Sequence, residues 1–338
     1  MNAPHPILSS PPGAAARPSH PLLAEQALRA SLPGHVRYRP LSAYTGAEIE
    51  GLDLSRPLAP PEVAAVQAIL RQWKVVFFRD QPLTHEQHVA FARQFGAPTI
   101  GHPVFGHVEG YPEVYAIAKH RKANAHAGQP ERRPWLGWHT DVTAALNPPA
   151  ASILRGVVIP PYGGDTQWSN LAAAFNGLSA PLQAFVRTLR GRHEFSPPGG
   201  VQASRAYLDA VDEKRLVSEH PLVRIHPQTG EELLFVSPGF LKRIVGLQAR
   251  ESRVLLELLW EHLVRPEFTV RFKWEPGSIA FWDNQATAHA PPFDIFDLDH
   301  DRQLFRVTLA GEVPLGADGQ PSTGVSGDPL LAHHSAAY

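Results

Sequence analysis

The stretch Gly137-Trp138-His139-Thr140-Asp141-Val142-Thr143 carries an imidazole and a carboxylate two positions apart. In an extended segment successive side chains alternate sides, so His139 and Asp141 share a face. One further imidazole would complete a two-His-one-carboxylate set. Such a set holds a non-heme Fe(II) on one side and leaves the other side open to ligands. The chain has 18 histidines, however, and a His-x-Asp pair among so many also arises by chance. There are no cysteines, so disulfides, thiolate nucleophiles, Cys-based zinc sites and iron–sulfur clusters are excluded. Any metal must be held by imidazole and carboxylate.

The C-terminal third offers the missing parts. Phe281-Trp282-Asp283-Asn284-Gln285-Ala286-Thr287-Ala288-His289 runs off an apolar strand and ends in a histidine. Downstream stand Arg302 and Arg306, the second inside Leu304-Phe305-Arg306-Val307-Thr308-Leu309. In an extended chain they share a face, about 13 Å apart at strand rise. Two inward guanidiniums are costly unless anions neutralise them; on the surface, each would simply meet an acid. Two other histidine clusters are set aside. His85-Glu86-Gln87-His88 has its histidines three apart, whereas a zinc-protease helix needs four. His107-Val108-Glu109 has no third-ligand motif tied to it and reads as loop.

The elements that must position these groups are short and β-rich. Helices are expected from Pro61 to Trp73 and from the N-cap Thr84 to Phe95, where Gly96 ends it, with Val75–Phe78 as a buried strand between them. Further strands are expected at Val114–Ala118, Ala151–Ile159, Leu233–Val236, Phe268–Trp274, Ser278–Trp282 and Leu304–Ala310, with helices at Asn170–Leu178, Pro181–Leu189 and Glu251–Val264. Many short strands with helical excursions point to a jelly-roll barrel or sandwich. Residues 1–35 are rich in Pro, Ala and Ser and read as an arm without regular structure, 36–328 as one domain and 329–338 as a tail. A net charge of −1 argues against nucleic acid or acidic membrane as partners. No apolar run approaches the ~18 residues of a membrane span, and a cytoplasmic protein is the expectation.

The motifs as a set resemble the Fe(II)/2-oxoglutarate-dependent taurine dioxygenase family. They are Trp138–Thr143, Gly163-Gly164-Asp165-Thr166, Trp282-Asp283-Asn284 with Ala286-Thr287 and His289, and Arg302 with Arg306-Val307-Thr308. The alkylsulfate dioxygenase subgroup is nearest in appearance, through His220–Glu231, Val245-Gly246-Leu247 with Glu251–Leu255, and the ending Gly311-Glu312-Val313-Pro314.

The resemblance implies a mainly β fold with outer helices, a double-stranded β-helix or cupin-like jelly roll. It implies that His139, Asp141 and His289 bind Fe(II), and that Arg302 grips the distal carboxylate of 2-oxoglutarate with Thr166 adding a hydrogen bond. A forked guanidinium suits a carboxylate. Arg306 and His102 would meet the anionic group of the substrate, with Val142 and Phe105 as apolar wall. The implied reaction uses Fe(II), 2-oxoglutarate and O2 to hydroxylate the carbon next to a sulfate ester or sulfonate, releasing an aldehyde with sulfate or sulfite, plus succinate and CO2.

Taurine-type members carry a tyrosine where Phe105 falls and an asparagine near Trp135, so an uncharged organic tail is favoured here over an ammonium. Alternatives stay open: taurine or another sulfonate, a carboxylate such as an aryloxyacid or amino acid, a zinc hydrolase on the same ligands, and a non-catalytic anion-binding barrel. The longer basic loop Lys119–Pro134 is expected to form part of a lid, and relatives assemble into dimers or tetramers, so a homo-oligomer is expected.

Overall fold

The computed structural model describes residues 21–119, 126–127, 133–195, 202–291 and 293–333. Residues 1–20 of the expected arm, most of the Lys119–Pro134 loop and the last five residues lie outside that set.

Val75-Val76-Phe77-Phe78 shows why the fold closes as it does. All four side chains are buried, because the strand has protein on both faces. Val75 and Phe77 point into the barrel, where they meet Trp168, Val270, Phe272 and Trp282. Val76 and Phe78 point outward onto Val66, Ile69, Leu70 and Trp73 of the helix Pro60–Trp73, and onto Val89 and Phe91 of the helix His85–Arg93. The second helix starts at a capping box, with Gln87 N–H donating to Thr84 Oγ1 and Gln87 returning a bond to the Thr84 backbone.

This strand belongs to a seven-stranded sheet ordered Arg37–Pro40, Ala47–Glu50, Val75–Phe78, Ile279–Asp283, Ala151–Val158, Gln303–Leu309 and Val114–Ala118. Every pair is antiparallel except Ala47–Glu50 with Val75–Phe78. Across the barrel interior lies a three-stranded sheet of Thr269–Phe272, Thr166–Asn170 and Thr287–Ala290. A four-stranded sheet, Leu241–Ile244, Arg190–Glu194, Val217–Pro221 and Thr323–Ser326, and the hairpin Val223–Ile225 with Glu232–Leu234 extend the structure. The helices Leu171–Asn176 and Ala249–Leu263 pack there through Phe175, Leu256, Leu259 and Leu263. The architecture is the jelly roll expected from the sequence.

Some boundaries differ. Within the stretch expected to lack regular structure, Pro21–Ser31 is a helix. It is held from outside: Leu28 and Leu32 pack on the core, and the Arg29 guanidinium lies 4.3 Å from the Tyr38 ring centroid. The expected strand Phe268–Trp274 begins as a 3-10 turn, Pro266–Phe268, before pairing over Thr269–Phe272. Past residue 328 the chain stays anchored, with Leu330 N–H donating to Asn147 Oδ1 at 2.7 Å and His333 N–H to Pro98 O at 2.7 Å. No helix among the described residues is long and apolar enough to cross a membrane.

Candidate metal centre

His139 and His289, 150 positions apart in sequence, face each other across a single antiparallel bridge. Each backbone N–H donates to the other's carbonyl, at 2.8 and 2.7 Å. Directly opposed residues put their side chains together, and here the two ring centroids are 4.2 Å apart. The ring of His139 is oriented by Nδ1–H, which donates to Gly137 O at 2.8 Å. Its Nε2 lone pair is therefore turned toward Asp141, whose Oδ1 lies 3.9 Å from that atom and 4.0 Å from His289 Nε2.

The extended run expected over His139–Asp141 is shorter than the alternation argument assumed. Only His139 is bridged, and the chain turns at Asp141, with Val142 at φ +46° and Ala145 N–H donating to Val142 O at 3.0 Å. A β-branched residue in the left-handed region is strained. The turn brings Asp141 against both imidazoles, and one ligand atom from each of the three residues lies within 4.8 Å of the others.

Electrostatically the cluster favours a cation. Burial opposes ionisation of Asp141, but the Arg306 guanidinium and the two imidazoles outweigh it and hold the carboxyl well below the usual carboxylate range. Burial, with His139 and Arg306 alongside and against the pull of Asp141, keeps His289 neutral, its pKa pushed down to about 3. Two imidazoles and one carboxylate are the donor set that non-heme Fe(II) takes. The residues fit that ion.

The remaining expected site residues fall into two groups around this centre. Arg302 precedes the strand Gln303–Leu309, and a register shift between Gln303 and Leu304 separates it from Arg306. The two arginines thus do not stand on one unbroken extended face. Arg302 Nη2 donates to Thr166 Oγ1 at 3.3 Å, and that oxygen also accepts from Trp274 Nε1 at 2.9 Å. Gly163 and Gly164 both have φ near +70°, and a Cβ at Gly164 would stand 3.1 Å from Arg302 Cδ. The Gly-Gly turn is what lets the loop lie against that guanidinium.

Arg306 donates through Nη1 to Asp141 Oδ1, and its guanidinium carbon lies 5.5 Å from the Tyr115 ring centroid. The arginine expected to meet substrate thus also neutralises the carboxylate of the candidate metal cluster. His102 Nδ1 accepts from the backbone N–H of Val104 and of Phe105, both at 3.1 Å, so a neutral ring carries its proton on Nε2. Its ring is 4.7 Å from Phe105, 5.0 Å from Tyr115 and 6.1 Å from Phe195. Phe105 reaches Tyr207 at 5.7 Å, Phe195 reaches Phe240 at 5.0 Å, and Phe240 lies 6.2 Å from His139.

Of this aromatic wall the sequence pointed to Phe105 but not to Phe195, Tyr207 or Phe240. Tyr207 sits on an unforeseen helix, Arg205–Glu213, whose N-cap Ser204 was the one local signal available. The two distracting histidine clusters are not metal sites. His88 is buried with Nε2 toward Ile153 O, and His107 sits in a loop with Nδ1 toward its neighbour's carbonyl.

A jelly roll with an imidazole–carboxylate–imidazole cluster of this kind defines a mononuclear non-heme iron oxygenase. Comparison with known proteins gives the same class. The family model for taurine catabolism dioxygenase TauD, TfdA family matches residues 37–308, and the chain belongs to that family. It is similar to an alpha-ketoglutarate-dependent sulfate ester dioxygenase of Pseudomonas putida, at 38% identity over 84% of this chain and 92% of that one. It is also similar to an alkylsulfatase of Acinetobacter baylyi, at 35% identity over 84% and 88% of the two chains. A solved structure of a taurine dioxygenase from Burkholderia xenovorans is 63% identical over 87% of this chain and 96% of its own, with a TM-score of 0.77. The chain is an alpha-ketoglutarate-dependent dioxygenase, and Fe(II), 2-oxoglutarate and O2 are its cofactor and co-substrates.

Proposed function

We propose that the enzyme hydroxylates the carbon that bears a sulfate ester. The observation that carries this reading is Arg306. Its guanidinium is more than nine-tenths buried, and while Nη1 is bonded to Asp141, Nε has no hydrogen-bond partner among the described residues. A buried cation with a spare donor calls for an anion. His102, with its Nε2–H, packs near the same Tyr115 ring, its centroid 5.0 Å from that of Tyr115. Beyond them the wall is the rings of Phe105, Phe195, Tyr207 and Phe240, none of which carries a charge to pair with an ammonium. An anionic head with an uncharged organic tail matches that lining.

In this reading His139 Nε2, Asp141 Oδ1 and His289 Nε2 hold Fe(II), and Arg302 with Thr166 holds the distal carboxylate of 2-oxoglutarate. Trp274 and Arg302 can only donate to Thr166 Oγ1, so the hydroxyl proton is left for the co-substrate. Val142 and Phe105 form the near wall. When bound, Fe(II), 2-oxoglutarate and O2 supply C–H hydroxylation coupled to decarboxylation to succinate and CO2. The chain's own contribution is placement: Arg306 and His102 fix the sulfate, and so select the C–H bond presented. The C–H bond beside the ester oxygen becomes C–OH. The adduct then loses its hydroxyl proton as the bond from carbon to the ester oxygen breaks, and aldehyde and sulfate separate. We carry forward, as parts of the same proposal, one catalytic domain over residues 36–328, a cytoplasmic location and assembly into a dimer or tetramer, which fractionation and light scattering test.

A second reading, taurine or another sulfonate as substrate, is supported by the 63%-identical structure described as a taurine dioxygenase. There the C–S bond breaks and sulfite leaves. Succinate, sulfate and sulfite are measured with alkyl sulfates, alkanesulfonates, taurine, aryloxyacetates and amino acids. Stoichiometric sulfate from alkyl sulfates is the expected result. Sulfite from taurine with alkyl sulfates inert establishes the second reading, and no succinate from any of them removes both.

A further inference from the structure

Asp141 has two oxygens with different neighbours. Oδ1 faces the imidazoles and Arg306, whereas Oδ2 accepts a hydrogen bond from Ser152 Oγ at 2.7 Å. Ser152 Oγ accepts in turn from Asn284 Nδ2 at 2.7 Å, and Asn284 Oδ1 accepts from Trp282 Nε1 at 2.8 Å. Exposure along this chain is 0% at Ser152, 1% at Asn284 and 1% at Trp282, so no solvent competes for its bonds. Backbone register builds it: Ser152 is paired directly with Trp282, and Asn284 N–H donates to Ala150 O at 3.0 Å.

The proton order in the chain is forced. An indole N–H can only donate, so the oxygen of the Asn284 amide must face Trp282 and its NH2 must face Ser152. Ser152 then accepts with its oxygen, and its one proton has a single destination, Asp141 Oδ2. Bonds aligned in one sense polarise each other, which strengthens the last of them.

We infer that Ser152, oriented by Asn284, is a positioning residue for the metal-binding carboxylate. By occupying Oδ2 it keeps Oδ1 toward His139 and His289. The alternative is chemically close at hand: χ2 of an aspartate is soft, and Arg306 offers a fork that can take both carboxylate oxygens. A carboxylate rotated fully onto Arg306 would be spent as an ion pair. Ser152 holds the arginine to one oxygen and leaves a lone pair of Oδ1 for the ion. This inference rests on the ligand assignment proposed above.

The test is Co(II) titration calorimetry on the full-length apoprotein without 2-oxoglutarate, with thermal melts alongside. Loss of an outer-shell partner typically weakens metal binding about tenfold to a hundredfold, and that loss is expected for Ser152→Ala and for Asn284→Ala. Because both act through one bond, the double variant should bind within about twofold of Ser152→Ala alone. Ser152→Thr, which keeps the hydroxyl, should restore affinity. If Ser152→Ala fails to fold, Ser152→Thr and Asn284→Ala decide the matter. A Kd within about twofold of the parent in both single variants, with only the melting temperature lowered, overturns the inference, as does a fully additive double variant. Asp141→Ala separates the two levels: Co(II) binding that survives it refutes the ligand assignment itself rather than the role of Ser152.

Discussion

Replacing Arg306 with alanine should split into two effects of different sign on different ligands. Arg306 and Asp141 are 6% and 2% exposed, so without a bound metal the substitution leaves a buried carboxylate lacking its neutralising partner. Breaking one side of a buried pair costs about 3–5 kcal/mol, and the apoprotein should melt lower by that measure. Co(II) should recover most of the loss, since the divalent charge then balances Asp141, and metal affinity should hold or improve because Oδ1 no longer serves a guanidinium. The substrate loses one or two charge-assisted hydrogen bonds at about 1.5–3 kcal/mol each. At about 3 kcal/mol, kcat/KM for an alkyl sulfate should fall roughly a hundredfold. Arg306→Lys keeps the charge without the fork and should lie between. The assay is initial succinate formation against substrate at saturating 2-oxoglutarate, with separate titration of 2-oxoglutarate, whose KM should stay within about threefold. Unchanged substrate kinetics would refute the reasoning. A raised 2-oxoglutarate KM with substrate KM intact would move Arg306 to the co-substrate.

Other perturbations separate the remaining roles. Thr166→Val removes the hydroxyl left for 2-oxoglutarate and should raise its KM about tenfold, the worth of one hydrogen bond, with substrate KM unmoved; an unaltered 2-oxoglutarate titration would return Thr166 to a turn role. Gly164→Ala combines φ +71° with a Cβ 3.1 Å from Arg302 Cδ, and should raise 2-oxoglutarate KM in the same assay. Tyr207→Ala opens the far side of the aromatic wall, so kcat/KM should shift toward bulkier tails across an alkyl sulfate series; a constant ratio would take Tyr207 out of the pocket. His88 and His220 are fully buried, and burial first of all pushes the pKa of each down to about 3. Below the unfolded value near 6.5 the unfolded chain binds protons that the folded one refuses, so stability is complete above that pH and erodes as pH falls toward 3. The slope should approach about 1.4 kcal/mol per pH unit for each histidine, and a flat urea midpoint between pH 7 and 5 would contradict it.

What the chain declares locally and what only the fold supplies can be told apart at this centre. The N-cap at Thr84, the strand Val114–Ala118 and the apolar run Val75–Phe78 were legible because their signals lie within a few residues of each other. So were the candidate ligands, since His139, Asp141 and His289 sit in short polar motifs flanked by apolar strands. The strand that delivers His289 was not. Thr287-Ala288-His289-Ala290 is buried at every position, and small residues with no alternation resemble a loop. The register shift ahead of Arg306 and the bond from Ser152 to Asp141 join distant segments, and no local pattern encodes them.

Val142 shows the same competition in its sharpest form. By type it prefers extended backbone, yet it sits at φ +46°, which costs about 1–3 kcal/mol. The cost is borne because the next residues are clamped. His220 Nε2–H donates to Thr143 O at 2.8 Å, His193 Nδ1 is bonded to Thr143 Oγ1 at 2.9 Å, and Ser218 Oγ–H donates to Ala144 O at 3.0 Å. Those three residues come from two adjacent strands, Arg190–Glu194 and Val217–Pro221, that pair with each other. The four-stranded sheet, which carries none of the proposed ligands, therefore sets the turn that aims Asp141. A strained turn fixed from behind holds its carboxylate in place before any ion arrives, which is the preorganisation a metal centre requires.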